Sequence, residues 1–168
     1  RLIKGGAEVN ARNDYGSTPL QEAAERGDPA LVKLLLKAGA DVESPNDEGQ
    51  TALMTVARTG NVEAAKLLIK ARADVNAVEG WRGQTALMWA ASQRNPKMVR
   101  LLIDSGANPK AIQEFMGHSE IQTTFDTYGH LLEGSRDEVR RRMDAYLSGS
   151  ASEELTGPPT GPPASEAD

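Results

Sequence analysis

Few side chains in this 168-residue chain are equipped for chemistry. Cysteine is absent, which removes disulfides, thiolate zinc sites and cysteine nucleophiles, and fits a reducing compartment. The only two histidines, His118 and His130, fall close to Tyr128. Arg140, Arg141 and Arg142 could meet phosphate, but Asp137, Glu138 and Asp144 surround them and make a solvated helix face. A different kind of chemistry is suggested by Tyr15 and Trp81: aromatics in turn-rich segments, the second beside Arg82, have the composition of protein-binding hot spots.

Charge argues against nucleic acid as an autonomous partner. Residues 1–109 carry 14 basic and 13 acidic groups, residues 110–148 carry 5 and 7, and residues 149–168 carry none and 4, which together make the net charge of −5. No segment has the basic excess that gains affinity by releasing counterions from phosphate. No apolar run approaches the roughly 20 residues that cross a bilayer, and no charged-then-apolar leader opens the chain. No metal site and no cofactor are expected, and a cytoplasmic monomer is.

The elements that must position these residues repeat. Gly16-Ser17-Thr18-Pro19-Leu20 returns as Gly49-Gln50-Thr51-Ala52-Leu53 and as Gly83-Gln84-Thr85-Ala86-Leu87. A second phrase keeps the same beat, through Gly6-Ala7-Glu8-Val9-Asn10, Gly39-Ala40-Asp41-Val42, Ala73-Asp74-Val75-Asn76 and Gly106-Ala107-Asn108. Each unit reads as two short antiparallel helices. The second begins after Asp28, Asn61 or Asn95, all good N-caps, with Pro29 or Pro96 where a missing N–H costs nothing. Its core stripe is read as Leu31, Leu34 and Leu35, then Val62, Ala65 and Lys66, then Met98, Leu101 and Leu102. Gly39 and Gly106 close the helix in the left-handed conformation. Ala23/Ala24 and Ala90/Ala91 let neighbouring helices approach, and Trp89 reads as core.

These phrases resemble the ankyrin repeat. The resemblance covers residues 1 to about 106 and implies an all-α fold: an ankyrin-type solenoid of helix-turn-helix repeats with short projecting hairpins. The units are a trailing half-repeat (1–12) and repeats at 13–45, 46–78 and 79–108. Residues 1–12 read as the back half of a unit whose front lies upstream of Arg1, leaving the face of Leu20 and Leu31 without a polar cap. The histidine frequent after the Thr-Pro-Leu phrase is replaced by Gln21, Met54 and Met88, so its buried hydrogen bond is expected to be lost. Arg72 and Arg94 stand where glycine is expected, at a cost of about 1 kcal/mol each if φ is positive.

The family's binding surface, carried over by position, consists of the hairpin tips and the ends of the first helices, facing a protein partner. It comprises Asp14, Tyr15, Ser17, Glu25 and Arg26; Asp47, Glu48, Gln50, Arg58 and Thr59; and Trp81, Arg82, Gln84, Ser92 and Gln93. A one-residue insertion between Ala77 and Gly83 lies beside Trp81.

Beyond Asn108 the beat stops. Three more helices are expected in residues 109–147, the last opened by the capping-box pattern Ser135-Arg136-Asp137-Glu138, followed by a disordered Gly/Pro/acidic tail over 148–168. The phrases Met116-Gly117-His118-Ser119, Ile121-Gln122-Thr123-Thr124 and Asp126-Thr127-Tyr128-Gly129-His130-Leu131 resemble the C-terminal end of phage-type integrases, the tyrosine recombinases, over roughly 101–147. That resemblance implies DNA breaking and rejoining, with Tyr128 as nucleophile in a phosphotyrosyl link and His118 hydrogen-bonding the phosphate. The family's remaining Arg, Lys and His groups should lie upstream, where this chain carries repeats and no histidine. Catalytic groups that act as a unit fail together. Cleavage by this chain alone is therefore not expected, and DNA enters only if other chains complete the site. Residues 101–108 satisfy both templates, as a join between two genes would leave them.

Overall fold

The computed structural model describes residues 8–108, all within one compact unit. Six helices alternate there: α1 (Pro19–Glu25), α2 (Pro29–Lys37), α3 (Ala52–Thr59), α4 (Val62–Lys70), α5 (Ala86–Ser92) and α6 (Pro96–Asp104). Among the described residues no strand forms. Each odd helix pairs with the even one after it, α1, α3 and α5 pack side by side, and α2, α4 and α6 form the second layer. This is the all-α, solenoid-like arrangement that the repeat implied.

Local chemistry starts each helix. Thr18, Thr51 and Thr85 cap α1, α3 and α5, each hydroxyl accepting from the N–H three residues on. Asp28, Asn61 and Asn95 do the same for α2, α4 and α6. The helices are only seven to nine residues long, too short to persist alone, so stacking must hold them. Ala23, Ala24, Ala57, Ala65, Ala90 and Ala91 are buried with Leu20, Leu53, Leu68, Leu87 and Leu102. The small residues allow axes to close toward the lower end of the 8–10 Å packing range while the leucines fill the layer between.

Two expectations require correction. The buried stripe of the even helices is Val32 and Leu35, then Ala64, Ala65 and Leu68, then Met98, Val99 and Leu102. Leu34 is 52% exposed and Lys66 is exposed. Each of these helices is covered from two directions, by its own partner and by an adjacent repeat, which moves the apolar arc by about one position. The histidine replacements also behave differently from one another. Gln21 keeps both functions: its Oε1 accepts from the Thr18 N–H (3.0 Å) and its Nε2 donates to the Gln50 carbonyl of the next repeat (2.6 Å). Met54 and Met88 offer only sulfur acceptors, to Thr51 N–H at 3.5 Å and Thr85 N–H at 3.4 Å. A thioether has no proton to donate, so the forward bond is missing in those two units alone.

Repeats are also joined by side chains at fixed intervals. Asn61 Nδ2 donates to the Gly27 carbonyl (2.6 Å) and Asn95 Nδ2 to the Gly60 carbonyl (3.4 Å), so each cap reaches back one unit. A second ladder runs through Asn10, Glu43 and Asn76, whose side-chain oxygens accept from Asp41, Asp74 and Asn108 N–H at 2.8 Å. Asn10 and Asn76 also donate, to the Gly39 and Gly106 carbonyls. Glu43 has no such proton, and in its rung the position of Gly39 and Gly106 is held by Arg72, at φ +69°. Arg94 is left-handed too, at φ +51°, as its glycine-like position predicted.

The middle rung is therefore the weakest. A Glu43→Asn/Arg72→Gly double variant should gain about 1–2 kcal/mol, from one new hydrogen bond and one relieved left-handed residue. Its thermal midpoint should rise by roughly 5–10 °C. A midpoint at or below that of the parent would refute this account of the ladder.

Candidate protein-binding surface

The hairpins between helix pairs are held by an acceptor at their base. Asn13 Oδ1 accepts from Tyr15 N–H (3.0 Å) and Ser17 N–H (2.9 Å), and Asn46 Oδ1 from Glu48 N–H (3.1 Å) and Gln50 N–H (2.9 Å). The third hairpin holds one residue more, and Glu79 occupies the position corresponding to Asn13 and Asn46. Its carboxylate accepts three N–H groups, from Trp81 (2.6 Å), Arg82 (2.6 Å) and Gln84 (3.1 Å). The longer side chain spans the longer loop. Glu79 is 4% exposed. Burial pushes its carboxyl up, but the N–H donors of Gln84, Trp81 and Arg82, helped by the Arg82 guanidinium, outweigh burial and hold it below the ordinary value.

Adjacent hairpins are joined through their backbones, Asp47 N–H to the Tyr15 carbonyl (3.3 Å) and Gly80 N–H to the Glu48 carbonyl (3.1 Å). This register lines up Tyr15, Glu48 and Trp81 as one row, aromatic, acid, aromatic. Tyr15 is 77% and Trp81 76% exposed. Glu48 Oε2 accepts from Gln50 Nε2 at 3.0 Å. Arg82 lies over the Trp81 ring, its guanidinium carbon 4.3 Å from the centroid, a cation–π contact.

Of the residues expected on the surface, Asp14, Tyr15, Glu25, Arg26, Asp47, Glu48, Thr59, Trp81, Arg82, Ser92 and Gln93 are exposed, and Ser17, Gln50 and Arg58 are half-buried. Glu25 and Arg58 are paired with each other across α1 and α3, so a partner would have to compete for them. Gln84 departs from expectation. It is buried, because its N–H and carbonyl both close on Glu79 and draw it beneath the tip. Trp89 is half-buried against the core. Sequence reasoning passed over Glu79 and the 59%-exposed Val78. The signal for Glu79 was present: an acid in the asparagine position, next to the single insertion. His118 and Tyr128 lie outside the described residues, as do the expected helices of 109–147.

Among the described residues, no three His, Cys, Asp or Glu side chains could hold a metal ion. None of their helices is long and apolar enough to cross a membrane. The hairpins present an exposed row of side chains on a frame of stacked repeats.

Family models agree. A model of ankyrin repeats in three copies matches residues 21–113, more than half of the chain, and a model of ankyrin repeats in many copies matches residues 1–36. The chain belongs to the ankyrin repeat family. Neither match reaches Tyr128, and neither supports the integrase resemblance. No curated protein matches the chain.

Proposed function

We propose that this chain is a protein-binding module whose partner docks along the row formed by Tyr15, Glu48 and Trp81. Ankyrin repeats generally mediate contacts with protein partners. The observation that carries the reading is the pair of exposed aromatics, held in one register by the hairpin-to-hairpin hydrogen bonds. Large amphipathic rings on a preorganised backbone lose little entropy on binding and dominate interface energetics. Glu25, Arg26, Arg58 and Gln93, at the ends of the first helices, would form the polar rim.

The absence of cysteine fits a cytoplasmic setting, and we place the chain there as a monomer. Strand transfer at Tyr128 and His118 is not part of the proposed function. Repeats occupy the upstream chain where the other catalytic groups of a recombinase would stand, so residues 109–147 are proposed to be without catalytic role.

The test is quantitative capture of partners from a cytosolic extract by the full chain and by a Tyr15→Ala/Trp81→Ala variant. Specific partners should be depleted at least about tenfold on the variant, the loss expected when central aromatic anchors are removed. Thermal stability should change little, since both side chains are largely exposed. A Lys70→Ala variant, altered on the outer layer, should capture as the parent does. Equal capture by the aromatic variant would refute the proposal.

A further inference from the structure

We infer that Ser44 is a phosphorylation site for a proline-directed protein kinase, and that Arg12 of the preceding unit receives the added phosphate. This inference is independent of the protein-binding reading.

The hydroxyls of the described residues divide by what they bond. Thr18, Thr51 and Thr85 cap helices, and Thr59, Ser92 and Ser105 donate to carbonyls of the helices they end. Ser44 instead accepts from a cation. Arg12 Nη2 lies 3.0 Å from its Oγ and 2.8 Å from the Pro45 carbonyl. Ala11 and Ala77 hold the same position in the neighbouring units, so packing does not require a hydroxyl there. Pro45 keeps the backbone of Ser44 extended, and Ser44 makes no backbone–backbone hydrogen bond with a described residue. It is half-buried, between exposed Glu43 and exposed Pro45. An extended serine followed by proline, outside every helix, is what a kinase with an apolar pocket for the next residue can draw into its cleft.

In the transfer step, Ser44 Oγ attacks the γ-phosphorus of Mg-bound ATP, its proton passes to a base of the kinase, and the bond to ADP breaks. The receiving group is already in place. Arg12 is exposed, and its Nη1 and Nε bond no described residue, so a planar fork of unused donors stands beside the new dianion. The nearest carboxylates are engaged elsewhere: Glu43 accepts from Asp74 N–H (2.8 Å) and Asp41 from Glu43 N–H (3.0 Å). The phosphate thus ties the base of the second hairpin to that of the first.

The experiment incubates the full chain with a proline-directed serine kinase and Mg-ATP, and locates the phosphate by mass spectrometry. It should stand on Ser44 and be absent from Ser44→Ala, which folds because alanine already serves at this position in the neighbouring units. The chain's other hydroxyl–proline pair, Thr18-Pro19, is an internal control: Thr18 is 1% exposed as the cap of α1 and should stay unmodified. Phosphorylation should raise the thermal midpoint by roughly 4–8 °C, and Arg12→Ala should cancel most of the rise. By phosphorus NMR, the second ionisation of the phosphate should fall below its usual value of about 6 in the parent and return to it in Arg12→Ala. An unmodified Ser44 in the folded chain overturns the inference. So does equal modification of Thr18, which would make the unfolded chain the substrate. A midpoint and an ionisation that ignore Arg12 overturn it as well, since the phosphate would then have no receiver.

Discussion

A Gly49→Ala variant should melt roughly 10–20 °C below the parent, on the usual scale of 4–8 °C per kcal/mol for a domain of this size. Gly49 sits at φ +81°, and an added Cβ would lie 2.7 Å from the Gly80 nitrogen and 3.4 Å from its Cα. Those atoms are backbone and cannot rotate away. The second and third hairpins would have to separate, losing the Gly80 N–H to Glu48 carbonyl bond, worth about 1 kcal/mol. The left-handed conformation itself costs an L-residue about 1–2 kcal/mol. Gly39 is the control, at φ +88° with nothing within 4 Å of an added Cβ. Gly39→Ala should therefore cost only the conformational term. Thermal denaturation of the two variants side by side separates contact from conformation, and equal losses would show that close approach of the hairpins contributes nothing. The same variant should weaken partner capture, because the separated hairpins no longer hold Glu48 and Trp81 in one row.

Glu79 carries the second large effect. Replacing it with Ala leaves the N–H groups of Trp81, Arg82 and Gln84 without their acceptor. Two of these are near the surface and recover water, so the expected loss is about 2–4 kcal/mol rather than three full penalties. Glu79→Gln retains one oxygen acceptor and should lose about half as much. Glu79→Asp should be little better than Gln, because the shorter side chain does not span the lengthened loop. Acid should reproduce the effect. The folded carboxyl titrates below the ordinary glutamate value of 4.5, so the unfolded chain takes up its proton first as pH falls. The stabilisation is complete above the unfolded value and is lost on descending through the folded one. The difference in unfolding free energy between parent and Glu79→Gln should therefore be constant near neutral pH and shrink below about pH 4.5. A difference that stays constant into acid would mean that the carboxylate charge does not hold the hairpin.

Much of the fold was legible because its determinants are local. The period of Thr-capped and Asn-capped helices, the proline at the first helical position and the left-handed glycines each involve groups three to five residues apart. Arg72 and Arg94 were readable for the same reason: their positive φ follows from their place at the end of a helix, and the glycine they replace is visible in the adjacent unit. Tyr15 and Trp81, assigned to the hairpin tips by the repeat resemblance, are exposed.

What tertiary structure decided involves partners about thirty residues apart. Only stacking reveals that Gln21 can replace a histidine while Met54 and Met88 cannot, because the bond that Gln21 makes runs from its amide N–H to a carbonyl on the next repeat, and a thioether has no proton to donate to it. The even helices bury Val32, Ala64 and Val99 rather than Leu34 because a second repeat covers them from the side, and an amphipathic pattern records one covering surface, not two. Gln84 went inside and Glu79 became the brace of the third hairpin for a local reason, five residues apart: one inserted residue changed which acceptor could reach the tip. The sequence by itself determined that this protein is a stack of repeats offering aromatic and acidic hairpin tips. The stacking determined that Tyr15, Glu48 and Trp81 form a single row, since only the hydrogen bonds between neighbouring hairpins convert a shared sequence position into a shared surface.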